Sequence, residues 1–222
     1  MRIKNTLIAG LAILLLLPAL SMAATKKIGI IVFDGVLTSD VTAPLEVFGA
    51  ASKLSWFNDY EVVSINADNK TNITTEEGLT LVTDTWVGNA PEVDVLIAPS
   101  SYSMSPLLKN KQLISYISEQ GGKADWVAGN CSGNQLLAQA GLLDGKRATT
   151  WAGGEKEFQK LFPKVKVIEN QNVVVDGKFI SSNGSVVSYQ AALTLLKNIS
   201  SEKKANEVAE AIQFQRLSNQ PY

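Results

Sequence analysis

The feature that most narrows the fold is an alternation of short, nearly continuous apolar runs with longer segments of helical period. Lys27–Phe33 is rich in isoleucine and valine with no polar alternation, the pattern of a strand covered on both faces. Asp34-Gly35 turns the chain, and from about Ser39 to Leu54 the residues Val41, Leu45, Phe48 and Ala51, with Val47 beside them, fall near helical spacing. Tyr60–Asn66 predicts a second strand and Leu79–Thr83 a third, flanking one. Val93–Ala98 predicts a fourth, which stops at Pro99. Pro106–Glu119 reads as a helix closed by Gly121-Gly122.

The second half repeats the alternation. Trp126–Gly129 is a short strand, Asn134–Ala140 a helix with Gly141 as its cap, Glu155–Phe162 a helix stopped by Pro163, and Val165–Ile168 a strand. Val173–Val175, Asp176-Gly177 and Lys178–Ser181 spell a hairpin with a two-residue turn. Helices follow at about Ser185–Ile199 and Glu202–Leu217. Strands alternating with helices predict an α/β fold: a doubly wound, mostly parallel sheet with helices on both faces, flavodoxin-like in outline. No linker, repeat or low-complexity tract divides it, so residues 24–222 are expected to form one domain.

Residues 1–23 carry a different signal. Arg2 and Lys4 precede the apolar run Leu7–Leu17, which Pro18 breaks, and Ser21-Met22-Ala23 forms a small-x-small site. A run of about a dozen residues is the size of a signal h-region and too short to span a bilayer. A cleaved signal peptide and a periplasmic or secreted mature protein are the expectation. Without Arg2 and Lys4 the chain keeps 18 basic and 21 acidic residues, and no basic stripe points to nucleic acid. No second apolar segment suggests a membrane partner.

Two counts bound the chemistry. The chain has no histidine and a single cysteine. A Ser-His-Asp or Cys-His triad cannot be assembled, and the usual histidine and cysteine ligands of zinc are missing. No cofactor or metal is implied, and acid–base work falls to carboxylates, lysines, tyrosines, the thiol or water. One cysteine cannot close an internal disulfide, which leaves a reactive thiol or a buried one.

That cysteine stands in Gly129-Asn130-Cys131-Ser132-Gly133, between a predicted strand and a predicted helix. G-x-C-x-G is the nucleophile-elbow pattern with sulfur in place of oxygen. A sharp strand-to-helix turn strains its central residue, and glycines on either side leave room for it. A thiol at a helix N-terminus is expected to have a lowered pKa. The plainer alternative is a buried structural cysteine beside a glycine turn. Asp40 follows the first strand, and in a doubly wound sheet the loops after the strands share one crevice, so the Asp40 and Cys131 segments can meet there. By position alone Asp40 is also an ordinary first-turn acid of a helix.

The run Asn130-Cys131-Ser132-Gly133-Asn134-Gln135-Leu136-Leu137-Ala138-Gln139-Ala140-Gly141-Leu142-Leu143-Asp144-Gly145 and the Ala148-Thr149-Thr150 after it resemble the ThiJ/PfpI family. The likeness is to the branch containing isonitrile hydratases and the amidotransferase-like domains of AraC-type regulators. Phe33-Asp34-Gly35-Val36, Asp40 and Pro44-Leu45-Glu46-Val47-Phe48 match the branch's opening block. The resemblance implies that Asp40 is the acid paired with Cys131, that Ser132 takes the place of the elbow threonine, and that the protein is a homodimer.

Several positions depart from the family pattern. Trp151 replaces the histidine after Thr-Thr, and Pro99-Ser100-Ser101 replaces a Pro-Gly-Gly loop whose N–H groups help form an oxyanion site. Ser181-Ser182-Asn183-Gly184 stands for Thr-Ser-x-Gly, Ser188 takes the place of a later glycine, and Asn134 replaces the histidine of glutamine amidotransferases. Glutamine hydrolysis is therefore not expected. The resemblance implies a cofactor-free cysteine enzyme, of hydratase or lyase type, acting on a small electrophile. A non-catalytic redox sensor or small-ligand-binding protein remains the alternative. Trp56, Trp86, Trp126 and Trp151 are expected as core or lid residues, and Ser100 and Ser101 as turn residues.

Overall fold

The computed structural model describes residues 25–55 and 59–219. The expected leader at 1–23 and Trp56 lie outside them. In chain order the strands are β1 (Lys26–Val32), β2 (Tyr60–Asn66), β3 (Asn72–Thr74), β4 (Thr80–Val82), β5 (Thr85–Trp86), β6 (Val95–Ala98), β7 (Trp126–Asn130), β8 (Arg147–Ala148), β9 (Lys166–Val167), β10 (Val173–Asp176) and β11 (Phe179–Ser182). The helices are α1 (Thr38–Lys53), α2 (Ser105–Lys109), α3 (Lys111–Lys123), α4 (Asn134–Gln139), α5 (Glu155–Leu161), α6 (Val187–Ile199) and α7 (Glu202–Ala211).

Seven strands form the main sheet in the order β10-β11-β7-β6-β1-β2-β5. All neighbours are parallel except β10, which pairs antiparallel with β11. The apolar runs read as doubly covered strands are so: Ile28, Ile31, Val95 and Leu96 are fully buried. From β1 the chain moves one way along the sheet to β2, and from β6 the other way to β7. Right-handed crossovers in opposite directions put α1 and α3 on opposite faces. α6 and α7 pack with α1, while α2 and α4 pack with α3.

This topology builds one end of the molecule from four adjacent loops. β11, β7, β6 and β1 are neighbours and parallel, with Ser182 beside Asn130 and Ala98 beside Gly129 in register. The segments that leave their C-terminal ends begin at Asn183, Cys131, Pro99 and Phe33. The first turn of α1, bearing Asp40, follows the last of these.

Some expected elements differ. Leu79–Thr83 does not flank the main sheet: β4 pairs only with β3 in a separate hairpin. Val165–Ile168 shortens to β9, which pairs with β8 outside the sheet. The expected Pro106–Glu119 helix is two helices divided at Asn110, whose side chain accepts from the Leu113 N–H and so starts α3 afresh. Gly121-Gly122 does not end α3. Gly121 lies inside the helix with Leu142 packed close, so a Cβ there would require the Leu142 side chain to shift. The last helix stops at Ala211 and continues as a 3-10 segment, Phe214–Asn219. The hairpin turns one residue later than expected, with Asp176 opposite Phe179 and Gly177 at φ 59°. No helix of the described residues is long and apolar enough to cross a membrane.

Candidate functional site

β7 ends at Asn130, and the chain then folds into a single 3-10 turn, Cys131–Gly133, that runs into α4. Cys131 is the residue that makes the bend, with φ at 52°. Left-handed backbone at a non-glycine residue costs on the order of 1–3 kcal/mol, so its surroundings must hold it there. They do so through the Cys131 carbonyl, which accepts from Asn134 Nδ2 at 3.2 Å and from Thr150 Oγ1 at 2.9 Å. Asn134 Nδ2 also donates to the Gly129 carbonyl at 3.1 Å. The glycines are required by contact. A Cβ on Gly133 would collide with the Ala98 carbonyl and lie 2.6 Å from that of Pro99, and one on Gly129 would collide with Asn134.

Asp40 is completely buried, and the loops after β6 and β11 surround it. Its Oδ2 accepts from the Ser100 N–H at 3.0 Å and from the Ser100 hydroxyl. Its Oδ1 accepts from the Ser185 N–H at 2.9 Å and the Ser188 hydroxyl at 2.6 Å. Cys131 is its neighbour across Gly184. A Cβ on Gly184, whose φ is 75°, would overlap Cys131 Cβ and reach to 3.3 Å from Asp40 Oδ1. The fold thus brings together two residues that stand far apart in the chain.

Burial pushes the Asp40 carboxyl above the ordinary range, against the pull of its four hydrogen bonds. Cys131 does not have the lowered pKa expected of a thiol at a helix N-terminus. Burial first, and the Asp40 charge second, push the thiol up. The Ser132 N–H and the hydroxyls of Ser100 and Ser132 pull the other way and are outweighed. The helix that follows is short, and a carboxylate behind the sulfur opposes whatever its N-terminus contributes.

Ser132, the third expected residue, is buried and ties the elbow to the loop after β6. Its hydroxyl donates to the Ser101 carbonyl at 2.9 Å and accepts from the Ser101 N–H at 3.3 Å. Both N–H groups of Ser100 and Ser101 are therefore engaged by side chains of the protein. Ser100 and Ser188, which the sequence marks only as departures from the family pattern and not as site residues, each bind Asp40 directly. The signal was present in the sequence: both are serines where the resembling family has glycine.

Cys131 is half-buried and opens into a cleft of about 400 Å³, a volume suited to a small ligand. Leu37, Met104, Trp151 and Leu161 give one part of the cleft an apolar lining, and Ser132, Gln135 and Glu157 a polar one. Trp151, which stands in the family's histidine position, lies over Gly154, where a Cβ would run into its indole ring. Among the described residues no group of three or more histidine, cysteine, aspartate or glutamate side chains is placed to hold a metal ion.

The sequence matches the model of the DJ-1/PfpI family over residues 26–198. It is 31% identical over 175 residues to an isonitrile hydratase of Pseudomonas putida, covering 78% of this chain and 72% of that protein. It is 22% identical over 199 residues to the HTH-type transcriptional regulator GbdR of Pseudomonas aeruginosa, covering 88% of this chain and 52% of the regulator. A ThiJ/PfpI family protein from Pseudomonas syringae superposes with a TM-score of 0.75 at 20% identity, covering 86% of this chain and 75% of that one.

Proposed function

This chain belongs to the DJ-1/PfpI family, and from that membership and its elbow we propose that it is a cofactor-free, cysteine-dependent hydratase acting on a small electrophile of isonitrile type. The observation that carries the reading is a strained Cys131 lining a partly apolar cleft, with a fully buried Asp40 close behind the cleft wall. No histidine is needed if the two share a proton. Two acids forced together lose their protons as a pair, and the state with one proton includes a form with thiolate and neutral carboxyl.

In that form the thiolate attacks the terminal carbon of the isonitrile and makes the C–S bond. The proton held by Asp40 passes to the same carbon, which leaves a thioimidate and an ionised Asp40. Water then adds across the C=N bond, its hydroxyl to carbon and its proton to nitrogen. The C–S bond breaks as the new hydroxyl returns a proton to Asp40, giving an N-substituted formamide and the starting thiolate. Ser132 positions the elbow against the loop after β6, and the lining of Leu37, Met104, Trp151 and Leu161 suits an apolar substituent on nitrogen. The protein works, on this reading, as an exported homodimer binding a small molecule and neither nucleic acid nor membrane.

A second reading has one observation in its favour. The Ser100 and Ser101 N–H groups are already bonded to Asp40 and Ser132, which leaves fewer donors for a developing anion. A redox sensor or ligand-binding protein would have no need of them. Incubation with an alkyl isonitrile, with the formamide followed by mass spectrometry, separates the two. The hydratase reading expects turnover that Cys131→Ser and Asp40→Asn abolish. No formamide above the level of Cys131→Ser contradicts it and favours the sensor.

A further inference from the structure

Gln135 stands one turn after Cys131, in the first turn of α4, and lines the same cleft. It keeps 7% of its surface. Leu136 and Leu137 beside it are fully buried in the core. Among the described residues no hydrogen bond reaches the Gln135 carboxamide. The fully enclosed side-chain atoms without a partner are Tyr116 Oη, Asn134 Oδ1 and Thr149 Oγ1, so the amide of Gln135 is not sealed in. The opening it has is the cleft.

The other polar side chains of the cleft are engaged or exposed. The Ser132 hydroxyl both donates to and accepts from Ser101. The Ser101 hydroxyl accepts from the Ser103 N–H. Tyr102 and Glu157 are exposed. A buried amide without a partner is unfavourable, and an apolar side chain would fill the same place at less cost. What the carboxamide adds is a pair of N–H donors and a carbonyl acceptor. We infer that Gln135 is the ligand-recognition residue of the cleft. It binds the polar N–CHO end of an N-substituted formamide, while the substituent lies on Leu37, Met104, Trp151 and Leu161.

This choice of ligand rests on the hydratase reading. An isonitrile carries neither an N–H nor an oxygen. Addition of water gives the carbon a hydroxyl and the nitrogen a proton, and the formamide keeps them as C=O and N–H. Gln135 therefore finds its full set of partners only after water has added. A contact made to the adduct and absent from the starting complex lowers the barrier between them. The Gln135 amide also offers a donor where the N–H groups of Ser100 and Ser101 are already engaged.

The test is the affinity of the full protein for N-cyclohexylformamide, measured by calorimetry in wild type and in Gln135→Leu. The variant is expected to bind about five- to a hundredfold more weakly, because the polar atoms of the formamide are left unpaired in the cleft. Cyclohexyl isonitrile is measured on a Cys131→Ser background, so that no C–S bond forms. It should bind about equally with and without Gln135→Leu. If Gln135→Leu does not fold, Gln135→Met carries the same test, since it keeps the length of the side chain and lacks the amide. Equal formamide affinity in wild type and variant overturns the inference, and so does a wild type that does not bind the formamide. A loss shared in equal measure by the isonitrile also overturns it, because that reports a change of cleft shape. Selective loss of formamide binding, in a protein that turns over no isonitrile, would count against the hydratase and leave the recognition by Gln135 standing. Isonitrile turnover with unaltered formamide affinity in the variant would do the reverse.

Discussion

Gly184 presses against Cys131: a Cβ on the glycine would occupy the space of Cys131 Cβ, and its φ of 75° is one that side chains rarely adopt. The same missing atom would lie 3.3 Å from Asp40 Oδ1. Gly184→Ala is expected to cost on the order of 2–4 kcal/mol, from left-handed strain together with overpacking. Urea unfolding checks this. A loss below about 0.5 kcal/mol, the range of an ordinary surface change, would mean that the elbow is not confined as described.

Asp40 makes stability depend on pH, and the sign follows from its raised pKa. Below the ordinary aspartate value of about 3.9, folded and unfolded chains both carry the proton, and the contribution is complete. Above it the unfolded chain ionises while folded Asp40 holds its proton, so the contribution is lost as pH rises through the folded value. Urea unfolding of wild type and Asp40→Asn from about pH 3 to pH 8 should show the wild type losing ground to the variant as pH rises. A constant difference between the two would contradict a raised Asp40.

Export is read from Arg2, Lys4, the Leu7–Leu17 run and Ser21-Met22-Ala23. Mass spectrometry of the protein from its native host should find a mature N-terminus at Ala24, within a residue or so. Soluble cytosolic protein retaining Met1 would contradict it.

The proposed homodimer rests on the resemblance and on the prevalence of two-fold assemblies. Sedimentation at tens of micromolar should give twice the chain mass. A monomer at that concentration refutes it.

Much of this architecture is legible in the sequence because burial on both faces leaves a direct trace. Runs such as Lys27–Phe33 and Val93–Ala98 have nothing polar to alternate with. The elements that escaped are those whose pairing is set by tertiary contact. β4 has the composition of a sheet strand, yet it pairs with β3 alone. Gly121 reads as a helix stop because glycine usually is one there, yet it lies inside α3 with Leu142 packed against it. In the site, the elbow could be found from the spacing of Gly129, Cys131 and Gly133. The raised thiol could not, because the helix N-terminus is a local feature while the burial and the opposing Asp40, from the first turn of α1, are set by the fold. Ser100 and Ser188 read as turn and helix residues until the fold places both on one carboxyl.

The central claim is that Cys131 and Asp40 hold one proton between them, and the measurement closest to it is Cys131 alkylation by iodoacetamide across pH, in wild type and in Asp40→Asn. The wild type should react in two steps with a flat interval between them, and the upper step should lie above the ordinary thiol value of about 8.5, because burial and the Asp40 charge oppose the thiolate. In Asp40→Asn the interval should vanish, leaving a single step at lower pH than the wild type's upper one, since a neutral amide neither stores the proton nor repels the sulfur. Identical profiles for the two proteins would contradict the pair, and with it the mechanism that dispenses with histidine.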